Sequence, residues 1–350
     1  MLESVLILMG KLQLKGPLDI GISGFDRSGT STQINGIIDH LEKQYGLQVK
    51  DFRGSENAAL FHADQFRDKI GNHISWKGFL LDNSIPSSVK MELSYEFAKL
   101  MEGVSTINGP DGEPVNKKAG ADLKIGAFAD DDEYFTRLSL ENLDVAIFEE
   151  PAKRTSGVSC RKVEQKMSAF DRDLTPRETL LAHSIYRKDE FLRFRERLRM
   201  HNKIIVRSRT EESTMAYQFM DKNVLPKGTT LEEFMDAPGI TEYALKYPPT
   251  HLFIVCGPED MTKDDLKSIY NARNDGRVED DFEKNLDYQL LVNNRYASGE
   301  VELLYEKLCP ELGARKPEFI YLNLYDDIET MNSKITGELD RIIKEYRTAV

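Results

Sequence analysis

The chain has 350 residues, which is enough for one large domain or two smaller ones, and its 40% hydrophobic and 30% charged residues predict a sizeable core. The formal net charge of −12 argues against sequence-independent binding to nucleic acid or to an anionic membrane, because both require basic surface. Three widely spaced cysteines form neither a disulfide framework nor a zinc motif, and they indicate a cytoplasmic protein.

The chain begins with an apolar segment, residues 1–12, that lacks a basic start and a small-residue cleavage site. We therefore interpret it as packed structure rather than as a signal peptide. No run of about 18 apolar residues occurs, so no transmembrane helix is expected. Near-continuous apolar runs predict five buried parallel strands, at residues 18–23, 144–149, 203–207, 251–256 and 318–323.

Helical spacing separates several of these strands. Five apolar residues share one face of a helix after the first strand: Ile34, Ile37, Ile38, Leu41 and Tyr45. Gly46 follows as a suitable C-cap. Residues 178–200 predict a long charged helix whose later arginines are expected to be solvated, and residues 326–347 predict a last amphipathic helix. This alternation predicts an α/β doubly wound sheet.

Residues 50–140 interrupt the alternation. Two helix-like segments are followed there by a polar, glycine-rich stretch and by the acidic ADDDE of residues 129–133. Turn signals and charge together indicate an exposed hairpin or a lid-like excursion.

The stretch GISGFDRSGTSTQ, residues 21–33, has the spacing of a phosphate-binding loop between a predicted strand and a predicted helix. Gly24 and Gly29 occupy the two turn positions, and Ser31 stands where a hydroxyl ligates Mg²⁺. Thr30 occupies the position of the usual phosphate-binding lysine. A guanidinium at Arg27 would reach phosphoryl oxygens. The alternative is a glycine turn before a capped helix, with a solvent-facing arginine.

The segment GFDRSGTSTQ resembles the phosphate loop of the thymidylate kinase family, G-[LI]-D-R-[ST]-G-K-[ST]-T-Q. Further segments similar to that family follow in the expected order: FEEPAKRTSG (148–157), ETLLAHSIYR (178–187), IIVRSRTEESTMAYQ (204–218), PPTHLFIVCGPED (248–260) and RNDGRVEDDFEKN (273–285). The resemblance covers residues 15–47 and 143–347.

The resemblance implies a P-loop kinase three-layer fold, with a parallel five-stranded sheet, helices on both faces and an inserted subdomain. Residues 1–49 and 143–350 would form the kinase core, and residues 50–142 would form an insertion of unknown role. The start of the insertion is not fixed, because the segment GLQVKDFRG (46–54) is also suited to be a second strand of the sheet.

The resemblance also implies an activity, the transfer of the ATP γ-phosphate to a pyrimidine deoxynucleoside monophosphate such as dTMP. ATP and Mg²⁺ would be the cofactors, and the chain would form a homodimer. Asp26, Arg27 and Arg209 would serve catalysis, with Asp26 on the acceptor sugar and Arg27 on the phosphoryl group in transit. The implied cofactor contacts are Gly24, Ser28, Gly29, Thr30, Ser31, Thr32, Arg273 and Arg277, and the implied acceptor contacts are Lys153, Arg154, Arg187, Ser213, Tyr217 and Gln218.

Two departures from the family pattern leave three hypotheses open. Thr30 replaces the loop lysine, and Ser208 replaces an aspartate that precedes Arg209. Phosphoryl transfer depends on positioning and on neutralising phosphate charge, so the loss of a cation is expected to slow it. The first hypothesis is an active but divergent nucleoside monophosphate kinase. The second is a nucleotide-binding protein that has lost catalysis and acts through partners, and the third is a phosphotransferase with a different acceptor.

Overall fold

The computed structural model describes residues 12–25, 28–53, 143–150, 176–237, 239–273 and 285–348. Of the proposed insertion at residues 50–142, only residues 50–53 lie within these ranges. Within them, no helix has the length and apolar character that a membrane crossing requires.

Six parallel strands form the sheet of the described residues: β1 (Leu18–Gly24), β2 (Val49–Asp51), β3 (Val145–Glu149), β4 (Ile204–Ser208), β5 (His251–Cys256) and β6 (Glu318–Asn323). Their spatial order is β2-β3-β4-β1-β5-β6. All five strands predicted from apolar runs are present, so the α/β parallel sheet is confirmed.

The sheet has one strand more than the five that the family resemblance implied. The additional strand is β2, which pairs Val49 with Val145 of β3 at the edge of the sheet. Its three residues, Val-Lys-Asp, are too few and too polar to form an apolar run, so the sequence pattern signalled it only as an open alternative.

Nine helices connect or cover the described strands: α1 (Thr30–Tyr45), α2 (Pro176–Glu190), α3 (Glu196–Met200), α4 (Glu211–Gln218), α5 (Leu231–Met235), α6 (Lys263–Ala272), α7 (Leu286–Ala297), α8 (Glu300–Glu311) and α9 (Ile328–Tyr346). Two π-helical turns, Phe191–Arg195 and Ile240–Ala244, complete the helical elements. The first of them joins α2 to α3 without a break, so residues 176–200 form one continuous helical segment. The long charged helix predicted at 178–200 is therefore confirmed.

The ends of the helices follow from the sequence. Gly46 ends α1 with a left-handed φ of 63°, and its N–H donates to the carbonyls of Leu41 and Glu42. The Asp327 carboxylate caps α9 by accepting from the Thr330 N–H at 2.7 Å. Helices α1 and α9 pack against each other beside the central strands. The C-cap at Gly46 and the last amphipathic helix are therefore confirmed.

One face of the sheet buries charge. Asp19 of β1 is inaccessible to solvent, and its Oδ1 accepts from Arg207 Nε of β4 at 2.9 Å. Its Oδ2 accepts from Arg195 Nη2 at 3.0 Å and from Arg199 Nη1 at 3.4 Å. Burial alone would raise the pKa of Asp19, but these guanidinium groups hold it below its ordinary value.

These contacts correct one expectation. The arginines in the second half of the 178–200 helix were expected to be solvated, yet Arg195 is only 1% exposed. The helix covers the sheet face that carries Asp19, and a guanidinium there neutralises a carboxylate that water cannot reach.

Replacing Asp19 by asparagine tests this charge pairing. At pH 7 the substitution should lower the free energy of unfolding by about 3–5 kcal/mol, because Arg195 loses its buried counter-charge and Arg207 loses one of three. The folded-state pKa is depressed, so the stabilisation is present above the unfolded pKa and is lost as the pH falls through the folded one. The difference between wild type and variant should therefore shrink below about pH 4.

Urea unfolding followed by circular dichroism measures both effects. Asp39→Asn is the matched control, because Asp39 forms an exposed pair with Lys43 and should contribute less than about 1 kcal/mol. Equal losses in the two variants would contradict the prediction.

Candidate functional site

The glycine loop lies at the carboxyl end of β1, where the strand order reverses. From β1 the chain passes through α1 to β2 on one side of the sheet, and it later crosses from β4 over β1 to β5 on the other. In open α/β sheets, ligands bind in the crevice that such a reversal creates.

Two glycines give the loop its shape. A Cβ at Gly24 would lie 2.5 Å from both Ser28 Oγ and the Val255 carbonyl oxygen, so a side chain has no room there. Gly29 has a left-handed φ of 89°, which residues with a side chain rarely adopt. Its carbonyl accepts from the Gln33 N–H at 3.1 Å and so starts α1. Both predicted turn positions therefore contain a glycine that the local geometry requires.

The first turn of α1 leaves its backbone N–H groups without a side-chain cap and carries no acidic residue. Ser31 and Thr32 are exposed there, and Thr30 is partly exposed. Ser28 is buried inside the loop, and its Oγ has no hydrogen-bond partner among the described residues. Open helical N–H groups next to a left-handed glycine are a setting that favours an anion.

Arg209 follows the end of β4 in a conformation that a non-glycine residue seldom adopts. Its φ is 67°, its N–H donates to the Ile22 carbonyl at 2.8 Å, and its Cζ lies 4.8 Å from the centre of the Tyr217 ring. Backbone strain of this kind persists only where neighbouring structure imposes it, and it concentrates at functional sites.

Arg273 approaches the loop from the opposite side. Its Nη1 is 3.6 Å from the position that a Cβ on Gly29 would occupy, and its Nη2 donates to the Leu324 carbonyl at 2.9 Å. Arg209 and Arg273 therefore both lie near the carboxyl end of β1, on the β4 side and the β5 side respectively.

Arg187 is buried among protein groups, with 2% of its surface exposed. Its Nε donates to Glu150 Oε2 at 2.8 Å, its Nη1 to Thr214 Oγ1 at 2.7 Å, and its Nη2 to the Thr210 carbonyl at 3.1 Å. Burial opposes its charge, but Glu150 and Glu211 raise its pKa above the ordinary value. These contacts fix the first turn of α4, and the proposed approach of Arg187 to an acceptor stays a prediction.

The three other residues that were predicted to contact the acceptor, and that the structure describes, lie on α4. Tyr217 is partly buried, and its Oη donates to the Gly24 carbonyl at 3.2 Å. The Ser213 hydroxyl donates to Glu212 Oε1 at 3.0 Å. The Gln218 side-chain oxygen is buried without a partner among the described residues. Five further predicted residues lie outside the described ranges: Asp26, Arg27, Lys153, Arg154 and Arg277.

Glu212 is a site residue that the sequence analysis missed. It is fully buried, and its Oε1 accepts from the Ser23 hydroxyl, from Ser213 Oγ and from the Thr210 N–H. Burial, followed by the nearby Glu211 and Glu150 carboxylates, raises its pKa. In the sequence, Glu212 is marked only by its position shortly after a predicted strand. It lies in the segment 204–218, whose similarity to the family pattern pointed to Arg209 and Ser213 instead.

A divalent cation would find few protein ligands here. Among the described residues no cluster of three or more His, Cys, Asp or Glu side chains is arranged to hold a metal. The exposed Ser31 hydroxyl fits the role of a single protein ligand, since Mg²⁺ at phosphate sites is held largely by the phosphates and water.

The parallel sheet, the glycine loop at the strand reversal and the uncapped helix after it define an α/β protein with a P-loop-like turn after its first strand. No protein-family model matches the sequence, and no curated protein matches it. Among solved structures, the chain is similar in shape to thymidylate kinase from Ehrlichia chaffeensis. The two share 13% sequence identity with a TM-score of 0.40, over 93% of this chain and 99% of that one. These values assign neither a family nor an activity.

Proposed function

We propose that the protein binds ATP through the loop at residues 24–32 and transfers the γ-phosphate to a pyrimidine deoxynucleoside monophosphate, with dTMP as the acceptor. The observation that carries the proposal is the left-handed Gly29 directly before the open N-terminus of α1, with Arg209 and Arg273 near the same end of the sheet. Backbone N–H groups and two guanidinium groups there are suited to a polyphosphate.

The proposed roles follow the geometry. The loop N–H groups and Ser28 bind the donor phosphates, and Arg273 lies next to Gly29 on the donor side. Arg209 binds the acceptor phosphate from the end of β4, and Tyr217 supports its guanidinium. The Ser31 hydroxyl is available to Mg²⁺, which when bound supplies charge neutralisation between donor phosphates. Asp26, Arg27, Lys153, Arg154 and Arg277 retain the roles implied by the family resemblance.

The second candidate is a nucleotide-binding protein whose catalysis is impaired. The specific observation in its favour is Thr30, a partly exposed neutral residue at the first position of α1, where the family pattern has lysine. An ammonium group there moves with the loop and neutralises the phosphates as their charge develops. Its loss typically costs about 10²-fold or more in rate.

A coupled ADP-release assay with ATP, Mg²⁺ and a panel of nucleoside monophosphates separates the two candidates. Under the first candidate, dTMP gives turnover and the purine monophosphates give little. Calorimetric binding of ATP without turnover on any acceptor would favour the second candidate. Absence of both binding and turnover would overturn both.

Restoring the ammonium group provides a second test. Thr30→Lys should raise either kcat or ATP affinity by about tenfold or more, because the new cation lies against the donor phosphates. Gln44→Lys is the matched control, since it adds the same charge at an exposed position near the far end of the same helix. The interpretation of the loop is wrong if Thr30→Lys leaves both quantities flat or lowers them.

Arg209→Gly separates function from stability. The substitution should raise the KM for the acceptor by at least about tenfold, because a charged phosphate contact is lost. Relief of the left-handed backbone should leave the free energy of unfolding unchanged or raised by about 1 kcal/mol. Asn202→Gly is the control, because Asn202 is the other described non-glycine residue with positive φ, at 51°. An unchanged acceptor KM in Arg209→Gly would exclude Arg209 from the acceptor site.

A further inference from the structure

Three consecutive residues at the end of β1 each form a hydrogen bond with the segment 209–217. This segment contains the connection between β4 and α4 and most of α4. The bonds join the Ile22 carbonyl to the Arg209 N–H at 2.8 Å, the Ser23 hydroxyl to the Glu212 carboxylate, and the Gly24 carbonyl to Tyr217 Oη at 3.2 Å. The phosphate loop, residues 24–32, begins at the last of these residues. The donor side of the proposed site is thus tied to the segment that presents its acceptor side.

Glu212 makes the central bond of the three and is the only carboxylate among them. A single oxygen, Oε1, accepts from Ser23 on β1 and from Thr210 and Ser213 at the start of α4. Hydrogen bonds that meet at one acceptor restrict the relative movement of the groups that donate them. The Glu212 carboxyl group therefore links the carboxyl end of β1 to the connection that contains Arg209.

A buried carboxylate at this position is costly. The neighbouring Glu211 pairs with Arg207 at 3.2 Å, whereas Glu212 has no ion pair among the described residues, and its Oε2 has no hydrogen-bond partner there. Burial raises the pKa of Glu212 and so disfavours its charged form. A group that lowers stability in this way is more common at functional sites than in cores that serve packing alone.

We propose that Glu212 is a positioning residue, which holds the phosphate loop in register with Arg209 through its bond to Ser23. The inference rests on the proposed function for its kinetic consequence, but its structural part is independent of any activity. Misplacement of donor and acceptor by about 1 Å costs on the order of 10²-fold in rate, while each substrate alone is bound nearly as before.

The test compares Glu212→Ala with Glu212→Gln. Alanine removes all three hydrogen bonds, and kcat should fall about 100-fold while the KM values for ATP and acceptor change less than about threefold. Glutamine keeps an oxygen acceptor for the three donors and should restore kcat to within about threefold of wild type. Calorimetric stoichiometry for ATP normalises kcat, so that an inactive fraction is not counted as slow enzyme.

Asp19→Asn is the control for loss of stability. Asp19 lies in β1, the strand that contains Ser23, and it is as buried as Glu212, but its partners are Arg195, Arg199 and Arg207. This variant should be destabilised without a fall in normalised kcat. If it loses kcat as Glu212→Ala does, or if Glu212→Ala turns over normally, the inference is overturned.

Hydrogen exchange measured by mass spectrometry distinguishes failure of the inference from failure of the proposed function. In protein without nucleotide, Glu212→Ala should exchange at least about tenfold faster than wild type in the peptide 22–33, because the loop loses its anchor. Glu212→Gln should not. If wild type shows no turnover on any acceptor, the proposed function fails, and this exchange pattern still decides whether Glu212 holds the loop.

Discussion

The buried guanidinium of Arg207 is the interaction on which the packing of the sheet against its covering elements depends. It has no exposed surface, and it bonds to Asp19 of β1, to Glu150 after β3 and to Glu211 at the start of α4. Burial opposes its charge, but these carboxylates raise its pKa well above the ordinary value. A buried ion cluster of this kind adds little net stability, yet removal of one partner is costly. The elements that carry the partners are therefore held in one arrangement.

Five of the six described strands and three helical segments could be predicted from the sequence, because an apolar run or a helical spacing marks each of them. The three segments are α1, the helix at 178–200 and α9. The buried charges could not. Arg195 and Asp19 are 176 positions apart, and a pattern of arginines along a helix is read as a solvated face unless the opposing carboxylate is known. The three-residue strand β2 was predicted only as an alternative, since its position is set by pairing with β3 rather than by its own hydrophobicity.

The candidate site likewise contains some features that could be predicted from the sequence and others that could not. Gly24 and Gly29 were predictable, because their requirement is a backbone conformation or a lack of space that only glycine meets. The surroundings of Arg187 and the role of Glu212 were not, because both depend on side chains that meet across different elements. A family motif specifies a residue type at a position. It does not specify which of several nearby partners that residue binds.

Thr30 makes the relative placement of the elements more important in this chain than in one with a loop lysine. A lysine in the loop carries its charge with the phosphates it binds, wherever the loop moves. Here the described guanidinium groups near the loop come from other elements. Arg53, after β2, donates to the Ser31 carbonyl, Arg209 follows β4, and Arg273 follows α6 and is bonded to Leu324. Their distance from a bound phosphate is set by the packing of those elements against β1. Any catalysis then depends on bonds that hold the end of β1 to its neighbours, and the contacts from Arg209, Glu212 and Tyr217 to β1 supply three of them.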